Sequence, residues 1–163
     1  MKKLLVAAAT VVAVLALAGG LFAQDAAQPA AEKLEPYKVG AIFAITGGAS
    51  WLGEPERNTA VMITESINAA GGINGHPLEL IVEDTVGDEA KTVTAVKKLI
   101  EKDQVVAIIG PSRSGTSMAV VPIMEEAKVP LISCAAAEAI VVGENGKQRP
   151  WIFKTPQNDS DAA

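Results

Sequence analysis

The sequence predicts an α/β protein built on a doubly wound parallel sheet. Three observations carry this reading. Short apolar runs alternate with stretches of helical periodicity across short joints, and that alternation sets strands side by side in parallel with helices on both faces. The apolar run 105–109 stops abruptly at Gly110-Pro111, passes through small hydroxyl residues, and resumes at helical spacing. That is the pattern of a buried strand running into the N-terminus of a helix. Residues 38–45 are apolar almost throughout rather than alternating, as a strand buried on both faces is.

The elements follow in order. Met1-Lys2-Lys3 is a basic start, residues 4–17 are apolar except for Thr10, and Gly19-Gly20-Leu21-Phe22-Ala23 offers small residues ahead of Gln24. Residues 1–23 therefore read as a secretory signal peptide cut after Ala23, with an uncleaved membrane anchor as the rival reading. Residues 24–36, polar and rich in Ala, Pro and Glu, read as a disordered leader. The regular part begins at Tyr37. The first strand, 38–45, is interrupted at Gly40 and ends at Thr46-Gly47-Gly48. Glu54-Pro55-Glu56 puts proline and acids where a helix starts. Ala60, Ile63, Ile67 and Ala70 then recur at helical spacing until Gly71-Gly72 ends the helix. Asn74-Gly75 turns the chain into a second strand, 77–83. Asp88 can cap a second helix whose inner face carries Val93, Val96, Leu99 and Ile100. Residues 105–109 form the third strand and 116–127 the third helix. Met118, Val121, Ile123 and Met124 are that helix's apolar contacts, and Pro122 is expected to kink or shorten it. A fourth strand (129–134), a loop or short helix (135–142), a polar loop (143–149) and a fifth strand (151–155) complete the pattern. Asn158 and Asp159 carry the cap signal of a further helix that the sequence does not contain, so a fragment or truncated reading frame is expected.

Composition narrows the function classes. The formal net charge is −5, and loss of Lys2 and Lys3 with the leader makes the remainder more acidic. That balance argues against nucleic acid and against anionic membrane surfaces. The length after residue 23 suits one domain. The single cysteine, Cys134, cannot form an internal disulfide, so an exported chain of this kind relies on packing.

In doubly wound sheets, ligands sit beyond the carboxyl ends of the strands. Loops 46–53, 84–88, 110–116 and 133–137 should therefore share one edge. In the 110–116 loop, free N–H groups at a helix start, with Ser112, Ser114, Gly115 and Thr116, can hold a carboxylate or phosphate. The alternative is that Ser112 or Ser114 merely caps the helix. A Walker loop is excluded because no lysine precedes Thr116, and the dinucleotide fingerprint is missing after the first strand. Gly110-Pro-Ser-Arg-Ser114 lacks the last glycine of a nucleophile elbow, and no histidine follows in the expected order. An exported serine hydrolase using Ser112 or Ser114 stands as the alternative function.

Ser133-Cys-Ala-Ala-Ala137 lets a ligand approach the backbone and offers carbonyls to an ammonium, or else reflects tight strand–helix packing. Trp51, on a glycine-rich loop, either covers an apolar ligand or packs outside the first helix. Arg113 meets a second acidic group or reaches solvent. Glu83, Asp84, Asp88 and Glu89 fit no calcium loop, and strand-end and cap roles suit them better. His76 reads as an exposed turn residue and Cys134 as an idle buried thiol. No metal site, cofactor site or catalytic set emerges.

Taken together, these residues resemble the periplasmic leucine/branched-chain amino-acid-binding proteins of ABC importers, with the type I periplasmic binding fold. The matching pieces are Tyr37-Lys-Val-Gly40, the Thr46-Gly-Gly loop with Leu52-Gly-Glu54, Ile67-Asn-Ala-Ala-Gly-Gly-Ile-Asn-Gly75, Val82-Glu-Asp84, Val106 to Gly110 with Ser114, and Val129-Pro-Leu-Ile-Ser133. The resemblance runs from Tyr37 to the end. It implies that residues 37–163 are a partial N-terminal lobe of a two-lobe receptor that delivers a small amino acid or organic carboxylate to an ABC permease in the inner membrane. It implies a periplasmic location, no enzymatic activity and no cofactor. It assigns Ser114 to the ligand carboxylate, the Ala135 carbonyl to an α-ammonium, Ala137 to a position that often carries a threonine hydroxyl, and Leu52 or Trp51 to the ligand side chain. The missing hydroxyl at Ala137 leaves room for carboxylates other than standard amino acids. Some members link the loops near Val86 and Arg113 by a disulfide, and both cysteines are absent here.

Overall fold

Tyr37–Phe43 (β1) is an interior strand of the computed structural model, which describes residues 34–161. The predicted signal peptide and most of the predicted leader fall outside those residues. β1 pairs in parallel along its whole length with Leu78–Asp84 (β2), and on its other side with Ala107–Ile109 (β3). Leu131–Ser133 (β4) and Ile152–Lys154 (β5) extend the sheet to the order β2-β1-β3-β4-β5, every pair parallel. The connections are the helices Ser50–Ala69 (α1), Glu89–Glu101 (α2) and Ser114–Ala127 (α3). The direction of winding reverses between β1 and β3, and a crevice opens at such a switch point above the carboxyl ends.

Strand alternation sorts the core. Ile42, Ile108, Leu131 and Ile152 point to one face and pack with Val96 and Leu99 of α2 and Val120, Val121 and Met124 of α3, all buried. The buried face of α2 is turned by one residue from the predicted one: Thr92, Ala95, Val96 and Leu99 are inside, while Val93 and Ile100 are only partly covered. On the opposite face α1 lies beside β1 and β2. Among the described residues, no helix follows it over the outer strands, so Ile132 is 36% and Phe153 48% exposed. Ala60, Ile63 and Ile67 of α1 and Ile109 and Ile132 of the sheet line an apolar groove of about 630 Å³ there.

Two helices depart from the sequence expectation. α1 begins at Ser50, with Pro55 inside it, rather than at Glu54. The cause is Gly53: a β-carbon there would come within 2.3 Å of the Ala44 backbone, so the first turn is pressed onto the end of β1. Proline this near a helix start forfeits only one intrahelical bond. α3 begins at Ser114 rather than Thr116 and runs through Pro122 to Ala127 without being shortened. Its start is fixed by the Arg113 carbonyl, which accepts from the Ser117 N–H at 2.9 Å, the Thr116 hydroxyl at 2.8 Å and the Ser117 hydroxyl at 2.9 Å. Elsewhere the predicted devices hold. The Asp88 carboxylate caps α2 by accepting from the Lys91 N–H at 2.8 Å, and Gly71 and Gly72 leave α1 in the left-handed region. The predicted 135–142 segment contains one 3-10 turn, Glu138–Ile140.

Candidate carboxylate site at the sheet edge

All five strands are parallel, so the four predicted loops do share the carboxyl edge of the sheet. Each is held by its own polar contacts. The Asp84 carboxylate, at the end of β2, accepts from the N–H of Ile45 at 3.0 Å, of Thr46 at 3.3 Å and of Val86 at 2.9 Å, and from the Thr46 hydroxyl at 2.6 Å. Partial burial pushes this carboxyl up, but the Thr46 hydroxyl and the three N–H groups outweigh it, and its pKa lies below the usual carboxylate value. Asp84 thus ties loop 44–48 to β2, the strand-end role. Among the described residues, no group of three or more metal-binding side chains occurs.

The serines of the 110–116 loop divide. Ser112 is buried; its hydroxyl accepts from the Ala44 N–H at 3.1 Å and donates to the Glu56 carboxylate of α1. Both its roles are spent on joining β1, β3 and α1, so it does not face a ligand. Burial raises the pKa of Glu56, and the Ser112 hydrogen bond partly offsets that. Thr116 is buried and bonds back to Arg113. Ser114 differs: it is half-buried in the first turn of α3, and no hydrogen bond to its hydroxyl is seen among the described residues. The N–H groups of Ser114, Gly115 and Thr116 have no partner within the helix, because the first turn of any helix lacks acceptors for them. Free N–H groups and the positive end of the helix dipole make this helix start, with a serine at its first position, chemically suited to a carboxylate.

The surroundings of that volume are mixed. Arg113 is exposed at the N-cap position, and its guanidinium leans toward the Gly87 carbonyl at 3.5 Å. The 84–88 and 110–116 loops therefore touch where the resemblance places a disulfide in other members. Gly115 leaves room for Glu89, whose carboxylate would lie 2.8 Å from a β-carbon at that position. Trp51 and Leu52 sit in the first turn of α1, not on a loop, and Trp51 is 72% exposed. Ala135 is buried and donates its N–H to the Ser133 hydroxyl at 3.1 Å. Ser133 in turn meets the Ser117 hydroxyl at 2.8 Å, which locks α3 to β4. Ala137 is half-buried and precedes the 3-10 turn, its carbonyl accepting from the Ile140 N–H at 3.2 Å. Sequence reasoning did not single out Lys154. It ends β5, and its ammonium donates to the Ala136 carbonyl at 2.8 Å.

Two further groups test the chemistry available. His76, the chain's single histidine, stacks on Tyr37 beside the turn into β2 and meets the Glu35 carbonyl at 2.7 Å. That places it at the amino edge of the sheet, so it does not activate either serine. Cys134 is largely buried near Glu56; burial first and the Glu56 charge second push its thiol up to about 11. Thiolate is the reactive form, so its alkylation at pH 8 is expected to be about 100-fold slower than that of a free thiol. Timed iodoacetamide labelling read by mass checks this, and labelling at the rate of glutathione contradicts it.

Comparison with known proteins agrees with the geometry. A family model described as periplasmic binding protein matches residues 36–163. The leucine-, isoleucine-, valine-, threonine- and alanine-binding protein of Pseudomonas aeruginosa is 30% identical over 111 residues, 68% of this chain and 29% of that protein. The branched-chain amino acid transporter substrate-binding protein LivJ of Streptococcus pneumoniae, solved with isoleucine, superposes with a TM-score of 0.71 at 30% identity, covering 77% of this chain and 35% of that one. An ABC-transporter solute-binding protein of Rhodopseudomonas palustris, solved with 3,4-dihydroxybenzoic acid, gives 0.65 at 27% identity over 76% and 32%. The chain spans about a third of the length of these proteins.

Proposed function

We propose, because the chain belongs to the periplasmic binding protein family, that it supplies one wall of the ligand cleft of an extracytoplasmic solute receptor that serves an ABC importer. The ligand is a branched-chain amino acid or a related small carboxylate. The observation that carries this reading is Ser114. In a loop of hydroxyl groups otherwise spent on the fold, it alone presents an unengaged hydroxyl beside free N–H groups, at the switch point of a doubly wound sheet. The receptor performs no chemistry. Export through the predicted signal peptide, with a periplasmic location and an inner-membrane permease as partner, is part of the same reading.

The serine hydrolase alternative gains nothing from the geometry. Ser112 donates to the Glu56 carboxylate and accepts from the Ala44 N–H, but it is buried, so its hydroxyl is not open to an ester. No base is seen against Ser114 among the described residues.

One wall of a cleft binds weakly, so the expected dissociation constants are about 1 mM. The test is a titration of the purified, isotope-labelled chain with leucine, isoleucine, 4-methylpentanoate and 3,4-dihydroxybenzoate, followed by amide chemical shifts. At least one ligand is expected to move the amides of Ser114, Gly115 and Thr116, and Ser114→Ala is expected to weaken that response about tenfold. If none of the four moves those amides at 20-fold the expected constant, about 20 mM, the reading is wrong.

A further inference from the structure

Glu56, in the second turn of α1, reaches the turn that joins β3 to α3. Its carboxylate accepts from the Ser112 hydroxyl, and the same hydroxyl oxygen accepts from the Ala44 N–H, just past β1, at 3.1 Å. Ser112 lies two residues ahead of Ser114, so covalent geometry keeps their Cα atoms within about 7 Å. The turn is tied on its other side to β4. The Gly110 N–H donates to the Ile132 carbonyl at 2.9 Å, and the Pro111 carbonyl accepts from the Cys134 N–H at 3.1 Å. Among the described hydrogen bonds of the turn, only those of Ser112 reach the end of β1 and α1.

A carboxylate is a poor residue for this place on grounds of stability. Glu56 lines the apolar groove beside α1, and burial raises its pKa. Among the described residues, no cation pairs with it. A folded-state pKa above the unfolded one means that ionisation opposes folding: the favourable contribution is present below the unfolded pKa and is lost as pH rises through the folded one. A glutamine would fill the same space without that charge. What the carboxylate supplies, and an amide does not, is direction. An ionised carboxylate only accepts, so the Ser112 hydroxyl must donate to it and keeps its lone pairs for the Ala44 N–H. An amide could donate instead and compete with Ala44 for the same oxygen.

We propose that Glu56 is a positioning residue for the candidate carboxylate site: through Ser112 it fixes the turn that carries Ser114 and the free N–H groups of α3. It touches no ligand itself. While Glu56 only accepts, the Ser112 oxygen holds the Ala44 N–H, and the turn has one arrangement between β1 and β4. Once that oxygen is contested, the turn has two hydrogen-bonded arrangements, and Ser114, two residues on, is divided between them. Affinity then falls with the fraction of chains whose turn is in the binding arrangement. The inference rests on the carboxylate site proposed above and names the residue that holds it in place.

The test is a cycle of Glu56→Gln, Ser112→Ala and the double variant, read by amide-shift titration with leucine and 4-methylpentanoate, by urea denaturation and by hydrogen exchange. Glu56→Gln is expected to be at least as stable as the wild-type chain, to weaken binding at Ser114 to Thr116 by about threefold to tenfold, and to speed exchange of the Ala44 N–H. In the Ser112→Ala chain, adding Glu56→Gln is expected to weaken binding no further, because the residue it acts through is gone. Loss of a negative charge near an anion can only tighten binding there. An unfolded Glu56→Gln chain overturns the inference, since the carboxylate would then be what holds the fold. Unchanged affinity in Glu56→Gln, weaker binding without faster Ala44 exchange, or the same weakening with and without Ser112 also overturns it, and each leaves the carboxylate site standing. If Ser112→Ala does not fold, the Ala44 exchange and the affinity of Glu56→Gln decide. Shifts at Ser114 to Thr116 from neither ligand in the wild-type chain remove the site itself, and the inference with it.

Discussion

Gly110→Ala is expected to cost the fold more than about 3 kcal/mol, a large part of the roughly 5–15 kcal/mol that holds a typical domain together. Gly110 joins β3 to the 110–116 turn with φ at +96°, where an L side chain is strained. Its β-carbon would also stand 2.1 Å from the Ile42 carbonyl oxygen. Ile42 is on an interior strand, hydrogen-bonded in a sheet with neighbours on both sides, so that oxygen cannot retreat. Gly71 separates the two effects. Its φ is +100°, nearly the same, yet no atom lies within 4 Å of a β-carbon there. Gly71→Ala should therefore cost only the dihedral strain, about 1–2 kcal/mol. Urea denaturation followed by circular dichroism measures both. Equal losses would mean that the contact with β1 contributes nothing; an excess of about 2 kcal/mol or more at Gly110 is the expected result.

That comparison bears on what was legible in the sequence. The strand–helix order, the Asp88 cap and the Gly71-Gly72 stop depend on neighbours within a few residues, and all were readable. The start of α1 was not. Proline and acids at 54–56 are a sound local signal, but the helix begins four residues earlier because Gly53 is pressed onto Ala44. The serines show the same limit. Ser112 and Ser114 are chemically equal in the sequence; Glu56, 56 residues away, engages the first, and no hydrogen bond to the second hydroxyl is seen among the described residues. The Lys154 contact was hidden because the residue ends an ordinary strand, and its partner, the Ala136 carbonyl, is brought alongside only by the sheet. Local chemistry marks elements and turns, whereas the division between structural and ligand-facing groups depends on partners that only the tertiary fold supplies.

Gly40 carries that lesson into the core and supports the second large prediction. In the sequence it merely interrupts an apolar strand, a sign of close approach by some other group. The group is Leu99 of α2: a β-carbon at Gly40 would lie 2.8 Å from Leu99 Cδ1 and 3.3 Å from Ile108 Cγ1. Leu99 is fully buried, and it seats α2 against β1 through the gap that the glycine leaves. Leu99→Ala is expected to lose about 2–5 kcal/mol, from lost burial and the cavity left behind. Gly40→Ala is expected to lose less, about 1–2 kcal/mol, because the atoms it crowds are ends of side chains and strand geometry favours alanine over glycine. The informative variant is the double one. With Leu99 shortened, the methyl group that Gly40→Ala introduces enters the space that the leucine vacated, so the two losses should fall short of additive by about 1 kcal/mol. Additive losses within about 0.5 kcal/mol would show that Gly40 and Leu99 do not share that space. The packing matters beyond stability, since α2 carries Glu89 and Asp88 at its start and so fixes the loop against which Arg113 rests. A chain that loses the Leu99 contact should also show broadened amides at Gly87 and Arg113, which links the seating of one core leucine to the order of the carboxyl edge of the sheet.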